Sequence, residues 1–323
     1  MFDLFDQPLL ILQSIGQAEI SLTAHQLVEP AVYNVPLAMR LLGSVKLDVL
    51  EHALNEIVRR HEALRTTFVT IENLPVQRIL PTLTVSLDVI DLMKYPEIRP
   101  RRRERAMQRL QAEAMRPFDL SAGPLFRATV FRVGTEEHLL LINLHHIVSD
   151  GWSLGVLLQE LEVLYNAFAA GQPSPLPPLP VQYADYAVLQ RQWLETHLDE
   201  QLDYWKAQLR NLSVVELPAD RPRPAVQTFR GASTRRVLSP ELLTRLNGVG
   251  QQEGVTLYMI LLAAFQTLLH RETGLDTIAV GSAFANRTRH EVEALIGFFV
   301  STLVMNTDFS GNPTLRELGL QHY

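Results

Sequence analysis

Cysteine is absent from all 323 residues. Its absence excludes a disulfide framework, a cysteine nucleophile and any cysteine-ligated zinc or iron–sulfur site, and it fits a reducing compartment. An excess of positive charge is also missing: 29 Lys and Arg stand against 35 Asp and Glu, a formal net charge of −6. Binding nucleic acid through its phosphates needs a basic face, so no nucleic-acid partner is expected. Long apolar runs are lacking as well. The longest, Leu257 to Phe265, falls well short of the roughly 20 residues that span a bilayer and reads as a buried helix. Near the N-terminus the apolar stretch Pro8 to Leu12 follows Asp3 and Asp6, where a secretory signal would carry positive charge. The expectation is a cytoplasmic protein with no membrane partner.

What the chain does have is the composition of a globular protein, 47% hydrophobic and 20% charged, at a length that suggests two domains or lobes. The stretch Pro173 to Pro180, P-S-P-L-P-P-L-P, holds five prolines, which remove backbone donors and stiffen the chain. It is expected to link an N-terminal lobe, residues 1–172, to a C-terminal lobe, residues 181–323. The spacing of Leu50, Leu54, Ile57 and Val58 predicts a helix over Asp48 to His61, and Leu64 to Val69 reads as a strand. Arg99 to Arg116 contains seven arginines, yet Ala106, Met107, Leu110, Ala114 and Met115 recur at helical spacing. That favours a helix with a solvated basic face over a phosphate site.

Leu139 to Leu144 has strand length, and Ser153 can cap a following helix whose apolar positions run from Leu154 to Phe168, with Gly171 at its end. Beyond the prolines, helices are expected over Tyr183 to Leu209, from Ser239-Pro240, and from Thr256 to near Gly274, with a strand over Thr277 to Ala283. Alternating helices and strands in both lobes predict a mixed α/β (α+β) architecture with helices packed on sheets.

Functional residue types concentrate in His145-His146-Ile147-Val148-Ser149-Asp150-Gly151-Trp152-Ser153, at a strand-to-helix turn. Successive strand side chains point to opposite faces, so one histidine is expected to face a channel and the other to be structural. Three readings compete. A metal site built from His145, His146 and Asp150 conflicts with that alternation. A serine hydrolase is suggested by Gly151-Trp152-Ser153-Leu154-Gly155, a formal match to the G-x-S-x-G elbow, with Asp276 and His290 as nominal triad partners. No H-G-G-G oxyanion loop precedes it.

The third reading is a resemblance. His145 to Gly151 spells H-H-I-V-S-D-G and resembles the H-H-x-x-x-D-G motif of the condensation domains of nonribosomal peptide synthetases, in the chloramphenicol-acetyltransferase-like superfamily. Three more stretches follow that family's order. Arg60-His61-Glu62-Ala63-Leu64-Arg65-Thr66-Thr67-Phe68 resembles R-H-E-x-L-R-T-x-F, and Tyr183-Ala184-Asp185-Tyr186-Ala187-Val188 resembles Y-x-D-Y-A-V. Ile296-Gly297-Phe298-Phe299-Val300-Ser301-Thr302 resembles I-G-x-F-V-N-T. The resemblance runs from about Tyr33 to the C-terminus, and the S-D-G-W-S wording is most similar to the subtype that joins two L-configured residues.

The resemblance implies two chloramphenicol-acetyltransferase-like lobes in a V-shaped pseudodimer with a channel between them. It implies donor and acceptor peptidyl carrier domains as partners and an adjacent adenylation domain. The chain itself would bind no metal or other cofactor, because both substrates arrive as thioesters on phosphopantetheine arms, where the acceptor amine attacks the donor carbonyl. By the family pattern His146 is catalytic and His145 structural. Asp150 would pair with an arginine from the other lobe, for which Arg287 in Ala285-Asn286-Arg287 is the candidate, and Gly151 would allow an unusual backbone angle or the close approach of a substrate arm. An α-amine with a pKa of about 8 is partly neutral in the cell, so an imidazole can either aim it or take its proton. Both roles stay open.

Departures from the pattern carry expectations too. The family's first signature, S-x-A-Q-x-R and an aromatic, is only faintly similar at Gln17-Ala18 and Ala24-His25-Gln26. Ser301 stands where Asn is usual and Asn306 where Arg is usual. The chain reaches Tyr323 before the last two family signatures, so an incomplete second lobe is expected, and a catalytically silent carrier-docking module or remnant is the alternative.

Overall fold

The computed structural model describes residues 9–14, 16–18, 20, 31–72, 74–95, 98–210, 212–226, 228–229 and 231–320; Ala24, His25 and Gln26 lie outside them. In chain order the elements are β1 (Leu9–Leu12), β2 (Asn34–Leu42), α1 (Leu47–Arg60), β3 (Thr66–Ile71), β4 (Leu74–Ile79), β5 (Leu87–Asp91), α2 (Arg99–Ala114), β6 (Phe126–Gly134), β7 (Glu137–His145) and α3 (Gly151–Ala169). Then follow α4 (Tyr183–Gln208), α5 (Pro240–Glu253), α6 (Leu257–Thr273), β8 (Thr277–Phe284), β9 (Ser301–Asp308) and α7 (Leu315–Leu320). Contacts divide the chain into two units, Met1–Glu195 with Ala285–Val300, and Thr196–Phe284 with Ser301–Tyr323.

In the first unit β7 lies inside a sheet of order β2-β7-β6-β5, antiparallel except for β5 beside β6. Its side chains alternate between two covered faces. Leu140, Ile142 and Leu144 share a core with Leu50, Leu54 and Ile57 of α1 and with Leu157, Leu161 and Leu164 of α3. Leu141 shares another with Ala106, Leu110 and Ala114 of α2. A strand covered on both faces reads as a nearly continuous apolar run, and L-L-L-I-N-L is that run. β1, β4 and β3 form a separate antiparallel sheet.

By its contacts the proline stretch lies within the first unit, where Leu176 packs against the larger core and the Pro177 carbonyl accepts from Arg60 Nη1 at 2.9 Å. The chain passes to the second unit along α4, after Glu195. The cap of α3 also differs from expectation. Asp150 is the N-cap, its carboxylate accepting from the Ser153 backbone N–H at 2.8 Å, and Ser153 sits within the first turn. A carboxylate that reaches the third amide of a helix satisfies a donor the helix leaves unpaired.

α2 buries Ala106, Leu110 and Ala114 but leaves Met107 and Met115 exposed. Its basic face is only partly solvated. Arg99 and Arg103 converge with Arg40 of β2 on the buried Glu137, donating at 2.6, 2.8 and 2.8 Å. Burial pushes the Glu137 carboxyl up, but the three guanidiniums outweigh it and hold the pKa at about 2, below an ordinary value of 4.5. A depressed carboxylate stabilises the fold above its unfolded pKa, and the contribution is lost as pH falls through its folded pKa. Glu137→Gln is therefore expected to lower Tm at neutral pH, with the gap to wild type narrowing below about pH 4.5. A gap that stays constant down to about pH 3 would contradict the clamp.

The second unit pairs β8 with β9 antiparallel and covers the hairpin with α6 and α7, through Ala263, Leu269, Ile278, Phe309 and Leu318. Ser239 and Thr256 cap α5 and α6 as expected, and Gly274 ends α6 in the left-handed region at φ 69°. The run 257–265 is not wholly buried. Ile260, Leu262 and Ala263 are, whereas Tyr258, Leu261 and Phe265 are about half exposed, because the helix lays only one face on the core. Among the described residues no single helix is long and apolar enough to cross a membrane; α5 and α6 would pass together only as a pair bent by 103°.

Candidate active site

β7 ends at His145, and the chain turns through a short 3-10 segment, His146–Val148, before Asp150 opens α3. His145 closes the α2-facing series and is buried, with Nδ1 accepting from the Ile147 N–H at 3.1 Å and its ring near Tyr33 and Phe118. Burial, reinforced by neighbouring His146, pulls its pKa to about 4, so His145 is uncharged at neutral pH. His146 is half-buried and faces elsewhere. Its Nδ1 lies 2.7 Å from the Ser149 carbonyl oxygen. A carbonyl can only accept, so in the neutral imidazole Nδ1 carries the proton and Nε2 holds a lone pair. Among the described residues no hydrogen bond reaches Nε2.

Asp150 is buried and fully engaged. Its Oδ1 accepts from the Ser153 N–H at 2.8 Å, the Ser153 hydroxyl at 2.7 Å and Arg287 Nη2 at 3.3 Å. Its Oδ2 accepts from the Phe299 N–H at 3.0 Å. The structure thus brings Asp150 and Arg287 together, both side chains within 2% of full burial. Although Arg287 lies between β8 and β9 in sequence, its segment, Ala285–Val300, packs as part of the first unit. Arg287 Nη1 donates to the Val292 and Leu295 carbonyls, and its guanidinium sits 4.0 Å over the Phe299 ring. Burial draws the guanidinium below its ordinary pKa, against the pull of Asp150.

The four motif stretches converge on this segment. His61 Nδ1 accepts from the Ile296 N–H at 3.2 Å while Nε2 donates to Glu160 at 3.0 Å, and Arg60 Nη2 donates to the same carboxylate at 3.0 Å. Burial would raise the Glu160 pKa, but His61 and Arg60 bring it below the usual carboxylate value. Trp152 Nε1 donates to the Glu293 carbonyl, and the buried Tyr183 hydroxyl donates to the Phe298 carbonyl at 2.6 Å. A Cβ on Gly297 would lie 2.1 Å from Tyr183 Cδ2, so this close approach requires glycine. Gly297→Ala is expected to cost about 1–3 kcal/mol through overpacking, seen as a lowered Tm; an unchanged Tm would show that Tyr183 can move aside.

The serine-hydrolase alternative finds no support in this geometry. Ser153 is no exposed nucleophile: it is buried, and its hydroxyl is shared among Asp150, Arg287 Nη2 at 2.9 Å and both backbone groups of Gly297 at 2.9 and 3.1 Å. His290, its nominal base, is exposed and pairs with Glu293, and Asp276 belongs to the second unit. Ser153 should therefore resist fluorophosphonate labelling; an adduct on its peptide in mass spectrometry would restore the hydrolase reading. Gly151 has open space where a Cβ would stand and no left-handed φ, so no contact among the described residues demands glycine there.

In the sequence Tyr183, His61 and Phe298 stand out only as parts of motifs. Their convergence has a faint local signal, an F-F pair after a glycine, but their partners stand 115 and 235 residues away.

A condensation-domain family model matches residues 16–319, a span that begins ahead of the Tyr33 expected from the motifs. A linear gramicidin synthase of Brevibacillus parabrevis is 48% identical over 308 residues, 94% of this chain and 6% of that protein. Chondramide synthase cmdD of Chondromyces crocatus is 45% identical over 285 residues, 88% of this chain and 7% of that protein. The chain thus spans only a small fraction of the length of the curated relatives it matches. The X-domain from teicoplanin biosynthesis, solved alone and in complex with OxyB, is 27% identical with TM-scores of 0.84 and 0.83, over 96% of this chain and 68% of that one. With its chloramphenicol-acetyltransferase-like fold and these relatives among peptide synthetases, the chain belongs to the condensation-domain family, whose members are amide-forming acyltransferases.

Proposed function

We propose that this chain forms an amide bond between a donor aminoacyl or peptidyl thioester and an acceptor aminoacyl thioester, both carried on phosphopantetheine arms, with His146 as the catalytic residue. One observation carries the reading. The Ser149 carbonyl holds the proton of His146 on Nδ1 and leaves Nε2 as an acceptor in a partly open site. The acceptor nitrogen attacks the thioester carbonyl carbon, and Nε2 accepts a hydrogen bond from the amine, then its proton as the tetrahedral centre forms. On collapse the C–S bond breaks and the departing sulfur takes that proton back. Since the thioester is already activated, orientation supplies much of the acceleration. Asp150 and Arg287 hold the turn on which His146 stands, and His145 remains an uncharged support behind it. The partners are donor and acceptor peptidyl carrier domains and an adjacent adenylation domain; the two-lobed division about residues 173–180 belongs to the same reading.

Intact-protein mass spectrometry of a loaded acceptor carrier tests this directly. Mixed with a loaded donor carrier and a synthetase module containing this sequence, the acceptor is expected to gain the mass of the donor residue, and an N-acetylated acceptor is expected to gain none. A second reading, a docking module without chemistry, is favoured by the likeness to an X-domain solved with OxyB. Carriers that bind without any transfer would select it.

A further inference from the structure

The ring of Phe298 meets the His146 imidazole edge-on, with centroids 5.0 Å apart and planes at 89°. The backbone that carries the ring is fixed on every side. Ser153 Oγ accepts from the Gly297 N–H at 3.1 Å and its hydroxyl lies within donating distance of the Gly297 carbonyl, 2.9 Å, Tyr183 donates to the Phe298 carbonyl at 2.6 Å, and Asp150 accepts from the Phe299 N–H at 3.0 Å. The ring also packs tightly on Gly16, where a Cβ would lie 2.7 Å from Phe298 Cε1. A histidine ring rotates broadly about its second torsion, and a half-turn would replace Nδ1 by a carbon at the Ser149 carbonyl. Something besides that one hydrogen bond has to define the ring plane.

We propose that Phe298 is a positioning residue for His146, its clamped ring holding the imidazole with Nδ1 on the Ser149 carbonyl and Nε2 toward the reacting amine. This rests on the reading of His146 given above. It also gives Ser153 and Tyr183 a purpose, since both fix the backbone from which Phe298 projects. An edge-to-face aromatic pair shifts a population by roughly 3- to 10-fold, and loss of the contact should slow the chemical step by that factor.

The test uses the 323-residue chain with ¹⁵N-labelled histidine, the His146 signals being identified by their loss in His146→Gln. In wild type the nitrogen shifts are expected to report a single Nδ1–H tautomer. Phe298→Leu should give averaged shifts at His146 alone, at near-wild-type Tm, and Phe298→Tyr should keep the wild-type signature. If Phe298→Leu lowers Tm, Phe298→Met, unbranched and more adaptable in packing, is read in its place. In a synthetase module Phe298→Leu should slow single-turnover transfer roughly 3- to 10-fold without weakening carrier binding, and Phe298→Tyr should restore the rate. An unchanged His146 signature and rate in Phe298→Leu, while His146→Gln is slow, would overturn the positioning role alone. Wild-type transfer by His146→Gln would overturn the reading of His146 and the positioning role with it.

Discussion

Asp150→Ala is expected to destabilise the chain by about 3–5 kcal/mol, the usual consequence of breaking a buried ion pair from one side. The substitution leaves the Arg287 guanidinium charged in a site where its side chain is 1% exposed. It also strips the acceptor from the Ser153 and Phe299 amides, and each buried donor left unmatched carries its own penalty, whereas the Ser153 hydroxyl can still donate to the Gly297 carbonyl. Asp150→Asn keeps the shape and one acceptor but turns an amide NH₂ toward a donor, so a smaller loss is expected. Activity should fall with stability in both variants, because the carboxylate caps α3 and fixes the segment packed beside His146. Urea unfolding of wild type, Asp150→Ala, Arg287→Met and the double variant checks this. The double variant should lose less than the two single changes summed, since each single change strands a buried charge and the double variant strands none. Full additivity would remove the pair from the account, and loss of activity by Asp150→Asn at wild-type stability would call for a direct chemical role.

Much of this site is legible in nine consecutive residues, 145–153, because a strand, a tight turn and a helix start compress histidine, aspartate and serine into one stretch. The end of the strand separates the two histidines: His145 closes β7 on the face of Leu141, and His146 begins the 3-10 turn. The cap of α3 is ambiguous in the sequence because Asp150 and Ser153 are both good capping residues three positions apart, and only the hydrogen bond between them shows which one starts the helix. The G-x-S-x-G match at Ser153 has the spacing of a nucleophile elbow without its exposure. Arginine content alone hid the Glu137 clamp, whose partners stand 97, 38 and 34 residues away. The proline stretch signals stiffness, and stiffness is as compatible with packing along a unit as with separating two. Contacts between residues far apart in the chain, such as Asp150 with Phe299 at a separation of 149 residues, leave no periodic trace in either segment.

Among possible measurements, single-turnover transfer of the donor aminoacyl group to the acceptor amine by a module carrying His146→Ala, beside wild type, bears most directly on the central claim. The imidazole is half-buried, and its ring makes one hydrogen bond within the described residues, to the Ser149 carbonyl, so the fold should survive with Tm near the wild-type value. The rate is expected to fall by roughly 10²- to 10⁴-fold, the loss typical of a positioned acid–base group. Transfer at the wild-type rate would mean that the acceptor amine needs no help from His146 and that the chemistry lies elsewhere in the chain.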